Sequence, residues 1–243
     1  MMYMRLDKYL AAHLKLGSRK DVKKMIKDGR IAVNGKPAAV PETPVTPGTD
    51  MVCLDGAELK YREHVYIMLN KPKGYVSAVS DNFHKAVTEL VPEEFKKFSL
   101  FPMGRLDIDT TGLLILTDDG ALAHKLLSPG RHIPKTYEAE LSESVTAEDI
   151  RLFRDGLLLE DGFKCRPAEL VPHGERRALI VICEGKFHQV KRMFEAVGKI
   201  VTALRRIKMN GLELDESLAA GEARELTEEE LDLLINGSME DRT

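Results

Sequence analysis

Between residues 104 and 120 the chain reads Gly-Arg-Leu-Asp-Ile-Asp-Thr-Thr-Gly-Leu-Leu-Ile-Leu-Thr-Asp-Asp-Gly. One carboxylate, Asp107, follows an arginine and a leucine and precedes a turn rich in Asp, Thr and Gly. A carboxylate at such a turn can act as a nucleophile if rigid structure holds it in a cleft. The apolar run from Leu113 to Leu116 reads as a buried strand able to give that support. Asp109 is a local competitor two residues on, and an Asx-turn would give Asp107 a purely structural use. Asp118 and Asp119 read as turn and helix-cap residues. A second Arg-Leu-Asp, Arg5-Leu6-Asp7, sits in a different context: Leu6, Leu10 and Leu14 recur at helical spacing and no Thr-Thr-Gly turn follows. Asp7 therefore reads as a solvated residue at a helix start.

Two further segments carry chemistry. In Lys135-Thr136-Tyr137 the tyrosine offers a π-face and a polar hydroxyl, and strand alternation puts Lys135 on the same face, where it could meet a phosphate. A strand tyrosine packed half in a core is the plainer alternative. The segment Glu184 to Phe194 holds Lys186, His188, Lys191 and Arg192, and further cations follow at Arg205, Arg206 and Lys208, with Glu195 nearly alone in opposition. Lys191 has Glu195 as an i+4 partner and could be an ordinary solvated helix residue. Lys71 and Lys73, in Leu69-Asn70-Lys71-Pro72-Lys73-Gly74-Tyr75, would extend the same cationic surface.

The elements that must position these groups alternate between strand and helix. Strands are expected over Val65 to Asn70, Tyr75 to Val79, Thr136 to Leu141 and Ala178 to Cys183. Helices are expected over Ala121 to Leu127, Thr146 to Asp155 with Gly156 as its stop, and Gln189 to Val197, where Val190, Met193, Phe194 and Val197 form a stripe. Thr227-Glu228-Glu229-Glu230 opens a last acidic helix through a capping box. The head reads helix, turn, helix, strand. Ser18 caps a helix from Arg19 to Lys27 with Val22, Met25 and Ile26 inward. Arg30 to Lys36 then forms a strand entering an Asn34-Gly35 turn, and Asp50 to Leu54 adds one more before Asp55-Gly56. Pro41, Pro44 and Pro47 keep the stretch between out of any helix. The fold class expected is α+β with a largely antiparallel sheet, divided into a small domain over 1–60 and a larger one over 61–243.

Charge is distributed unevenly. Residues 1–40 carry ten Lys and Arg against three acids, whereas residues 211–243 carry two Arg against eleven acids. The net charge of −3 thus conceals a basic head, which points to a local polyanion-binding surface. Its cations are Arg5, Lys8, Lys15, Arg19, Lys20, Lys23, Lys24, Lys27 and Arg30, and the helix from Arg19 to Lys27 turns five of them outward. Such a surface follows phosphates and gives salt-dependent affinity. Hydrophobic residues make up 43% of the chain, enough for an ordinary core. No apolar run approaches the ~20 residues of a membrane span, and no secretory leader opens the chain. The cysteines, Cys53, Cys165 and Cys183, are widely spaced, which argues against a zinc cage and a disulfide framework. The location expected is cytoplasmic, with the thiols reduced and no metal bound.

These motifs together resemble pseudouridine synthases that modify ribosomal RNA and carry an N-terminal S4-type RNA-binding domain. The resemblance rests on Arg-Leu-Asp-Lys-Tyr-Leu, Ser-Arg and Gly-Arg-Ile-Ala-Val-Asn-Gly in the head, on Leu-Asn-Lys-Pro-Lys-Gly-Tyr, on the aspartate loop, on Lys-Thr-Tyr and on His-Gln-Val-Lys-Arg-Met-Phe. It implies that Asp107 is the catalytic carboxylate, attacking the uridine at ribose or ring or abstracting a ribose proton. It implies that Tyr137 stacks on the target base, that Lys191 pairs with Asp107 where related enzymes often have arginine, and that Arg105 either helps displace the base or serves structurally. The reaction implied breaks a glycosidic bond, rotates the base and rejoins it through carbon, with no redox step; the absence of nucleotide-binding and metal motifs agrees with this, and no cofactor is expected. The partner implied is ribosomal RNA or a ribosomal-subunit assembly intermediate, bound by a monomer. Asp-Ile-Asp-Thr-Thr-Gly and Thr-Asp-Asp-Gly are most similar to the branch acting on one uridine of small-subunit 16S RNA, although large-subunit 23S enzymes share most motifs. A non-catalytic RNA-binding assembly factor is the alternative of another class. A tRNA-charging enzyme with an S4 module would need nucleotide-binding motifs, which are not found.

Overall fold

The computed structural model describes residues 3–59 and 63–237. The chain divides into two compact units, residues 1–64 and 65–243.

In the first unit, β1 (Met4–Arg5) leads into α1 (Leu6–Lys8), which continues over Tyr9–His13 with wider i→i−5 hydrogen bonds, Leu14 N–H donating to the Tyr9 carbonyl. Leu6, Tyr9, Leu10 and Leu14 are buried there. α2 (Arg19–Lys27) opens on a Ser18–Asp21 capping box and buries Val22 and Ile26. Then follow β2 (Ile31–Val33), β3 (Lys36–Pro37), β4 (Pro44–Val45), β5 (Val52–Leu54) and β6 (Ala57–Glu58). The β2–β3 connection is the expected two-residue turn, with Asn34 and Gly35 both at positive φ. β4 pairs with β1, while β3, β2, β5 and β6 form a four-stranded sheet. Asp7 is not solvated as expected: it is buried, because its carboxylate accepts from the Arg5 guanidinium at 3.0 Å and from the Lys8 N–H at 2.9 Å.

The second unit contains β7 (Tyr66–Lys71), β8 (Tyr75–Val76), β9 (Lys85–Ala86), β10 (Phe101–Met103), β11 (Thr111–Thr117), α3 (Gly120–Leu127), β12 (Lys135–Leu141), α4 (Ala147–Asp155), β13 (Glu169–Pro172), β14 (Arg177–Ile182), α5 (Gln189–Glu195), β15 (Val201–Met209), β16 (Leu212–Glu213), β17 (Ala223–Glu225) and α6 (Glu228–Asn236). Its main sheet runs β13-β14-β12-β15-β11-β7-β17, with β10 on β11 and β16 on β15. Every pairing in it is antiparallel except β11 with β15.

Both faces of this sheet are covered, which explains why β11 is apolar throughout rather than alternating. Leu114 and Leu116 face one core with Phe153 of α4 and Val190, Met193 and Phe194 of α5. Leu113 and Ile115 face the other with Leu122 and Leu126 of α3 and Leu234 of α6. The Phe153 and Phe194 rings meet at 5.0 Å between centroids. Lys199 and Asp149 form a buried ion pair at 2.7 Å, each side chain 7% exposed. It ties the loop after α5 to the first turn of α4.

Candidate active site

The aspartate loop leaves β10 through Gly104 and enters β11 at Thr111. It is short and heavily tied. Thr110 N–H donates to the Asp107 carbonyl at 3.1 Å, which closes a turn at the carboxylate. The Ser77 hydroxyl donates to the Leu106 carbonyl and accepts its N–H, both at 2.9 Å. Gly74 N–H donates to the Ile108 carbonyl at 2.8 Å. Beneath the loop lies Lys71, fully buried, whose Nζ donates to the carbonyls of Thr110 at 2.8 Å and Asp107 at 3.0 Å. Burial pushes this ammonium down to about 8, against the attraction of Asp109 and Asp107.

Glycine is required at the far end of the loop. Gly112 has φ +96, and a Cβ there would stand 2.2 Å from the Arg206 carbonyl oxygen on β15. The close approach of β11 to β15 depends on its absence. Arg206 is itself buried, its Nε donating to the Leu113 carbonyl at 2.8 Å.

These restraints place Asp107 in the wall of a cleft of about 70 Å³, lined also by Arg105, Tyr137, Lys186, His188 and Gln189. The Asp107 side chain remains 26% exposed. Lys191, from the first turn of α5, lies between the two loop carboxylates. Its Nζ stands 3.5 Å from Asp107 Oδ2 but only 2.6 and 2.8 Å from the Asp109 oxygens. That hydrogen-bonded pair holds the Asp109 carboxyl below its ordinary range. His188 Nε2 is 3.6 Å from Asp107 Oδ1. Tyr137, on β12, is 7% exposed and turns its ring toward the same cleft. Arg105 is exposed beside Asp107 and enters no ion pair among the described residues.

The model of the RNA pseudouridylate synthase family matches residues 65–196, and that of the S4 domain residues 4–51. The chain belongs to the RNA pseudouridine synthase family. It is 47% identical to "Uncharacterized RNA pseudouridine synthase YtzG" of Bacillus subtilis (strain 168), over 95% of this chain and 98% of the relative. It is 40% identical to "Ribosomal small subunit pseudouridine synthase A" of Escherichia coli (strain K12), over 94% and 98%. A crystal structure of a pseudouridylate synthase superposes with a TM-score of 0.67 at 35% identity, covering 96% of this chain and 100% of that one. Members of this family isomerise uridine to pseudouridine, and this synthase is an enzyme of that class.

The synthase brings Asp107, Tyr137, Lys191, His188, Lys186 and Arg105 together. Lys71 does not join a cationic surface as expected; it is internal, and its charge is spent on loop carbonyls. Lys73 is exposed. Arg206 likewise leaves the expected surface cluster for the interior. Nor does Glu195 stand nearly alone: Arg192 pairs with Asp161 at 2.6 Å and Lys208 with Glu213 at 3.3 Å, acids brought in by tertiary structure. Lys135 is half-buried, pushed down to about 8 mainly by burial, and donates to the Ile133 carbonyl at 2.8 Å. Arg205 is half-buried on β15.

In the first unit, Lys8, Lys15, Arg19, Lys20, Lys23, Lys24 and Lys27 are exposed, and none of the ion pairs among the described residues engages them. Arg5 is held by Asp7 and Glu42, and Arg30 by Asp55. The residues not foreseen were Ser77 and the inward role of Lys71. A cue existed for the latter: Ile67, Leu69 and Lys71 share one strand parity, and the first two face the core.

Proposed function

We propose that this synthase converts a uridine of small-subunit 16S ribosomal RNA to pseudouridine, with Asp107 as the reacting carboxylate. The observation carrying the reading is the Asp107 carboxylate, fixed by its loop in the cleft wall and faced by Lys191 and His188. The reaction breaks the N1–C1′ bond, forms a C5–C1′ bond and moves one proton from C5 to N1, so atoms balance without a co-reactant. The nucleotide must leave its stack to reach a cleft of this kind, at a cost of a few kcal/mol. Tyr137 gives the extruded base an aromatic face, and Arg105, in the cleft wall, either helps displace the base or serves structurally. Lys191 presents its ammonium to Asp107 at 3.5 Å while Asp109 anchors it.

The exposed cations of α2 hold the surrounding RNA by its phosphates, and Lys73 and Lys186 extend that contact at the larger unit. The name of the Escherichia coli relative supports the small-subunit assignment. The proposal further takes the chain to be a cytoplasmic monomer acting on ribosomal RNA or an assembly intermediate.

The test is pseudouridine mapping of ribosomal RNA from cells lacking this chain, complemented with wild type or Asp107→Asn. One small-subunit pseudouridine should vanish and return only with wild type. A missing large-subunit site would overturn the substrate assignment, and full rescue by Asp107→Asn would remove Asp107 from the reaction.

A further inference from the structure

Phe187 is 76% exposed at the lip of the Asp107 cleft, between two residues that line it, Lys186 and His188. Its ring lies on the His188 imidazole, with centroids 3.7 Å apart and planes 19° from parallel. His188 adopts a left-handed backbone conformation, φ +50, which is uncommon for a residue with a side chain. Its Nε2 reaches to 3.6 Å from Asp107. One stack therefore links the catalytic carboxylate to an open aromatic face outside the cleft. A phenylalanine this exposed contributes little to a core.

We infer that Phe187 is a stacking platform for a nucleobase next to the uridine in the cleft. Extrusion of one nucleotide breaks its neighbour's stacking, and an aromatic ring replaces that contact without regard to base identity. His188 occupies one face of Phe187, so a single face remains. That geometry suits a platform for one base rather than a wedge, which would need both faces. Lys186, next to the stack in sequence and in the cleft wall, suits a flanking phosphate. The inference rests on the assignment of RNA to this cleft.

The test uses the full chain and a ribosomal RNA substrate that wild type modifies. Phe187→Ala should unfold at the same temperature as wild type, since the ring is exposed. It should raise the RNA concentration giving half-maximal rate by about 5- to 150-fold, with kcat changed far less; Phe187→Tyr and Phe187→Trp should retain wild-type values. An abasic nucleotide placed immediately 5′ or 3′ of the target should, at one of the two positions, impose a similar penalty on wild type and none further on Phe187→Ala. Unchanged saturation in Phe187→Ala, or equal abasic penalties in both proteins at both positions, would overturn the platform alone. Failure of wild type to modify any ribosomal RNA would instead overturn the underlying reading, and the platform with it.

Discussion

Lys71 shows how one buried side chain can hold a loop in shape from beneath. A buried ammonium is costly unless hydrogen-bonded, and here the carbonyls of the aspartate loop satisfy it. Its titration gives a test. The unfolded chain keeps this proton up to about pH 10.5, the native one only to about 8. Between those values the unfolded state binds more protons, so native stability rises with pH through this group. Lys71→Met lacks the contribution. Chemical unfolding of both proteins between pH 8 and 10.5 should show the wild-type advantage growing by at most about 3 kcal/mol; parallel curves would mean that Lys71 does not titrate there. The sequence made Lys71 look like a surface cation because lysine is seldom buried. That Asp107, Tyr137 and Lys191 gather at one cleft could be expected from their long motifs, whereas the grip of Lys191 on Asp109 is a matter of ångströms that no motif records.

Helices and strands were legible where a local cause sets them. The Ser18, Thr146 and Thr227 capping boxes and the Asn34-Gly35 turn lie where local chemistry puts them. The strand expected from Tyr75 to Val79 shrinks to Tyr75–Val76, because its strand partner among the described residues is the two-residue β9. What stayed hidden joins distant parts of the chain. Asp149 and Lys199 are 50 positions apart in the sequence, yet form one buried pair. Removing one partner leaves an uncompensated charge, so Lys199→Met should lose about 3–5 kcal/mol in equilibrium unfolding. A loss under 1 kcal/mol would show that water reaches Asp149 there. Because α4 and α5 share a core through Phe153 and Phe194, this loss should also loosen the helix that carries Lys191.

At the scale of the whole molecule, charge is allotted by unit rather than by sum. Among the described residues the cations of α2 enter no ion pair, while Arg192, Arg224 and Lys208 of the larger unit are matched by acids. The head should therefore govern the ionic-strength dependence of RNA binding. Replacing Lys20, Lys23 and Lys24 with Gln should flatten the slope of log K against log salt by about 2 to 3, with kcat at saturating RNA unchanged. An unaltered slope would place the phosphate contacts elsewhere. No helix among the described residues is long and apolar enough to cross a membrane.

The parallel seam between β11 and β15 has a consequence in time. The aspartate loop is read out from residues 104–112, but the strand that Gly112 presses against starts only at Val201 and also separates β11 from β12, which carries Tyr137. During synthesis the carboxylate and the tyrosine thus emerge from the ribosome with no sheet to join them. They become neighbours when one late strand slides between, a non-local closure of the slow kind. The cleft that holds both side chains is in that way incomplete until β15 has been made.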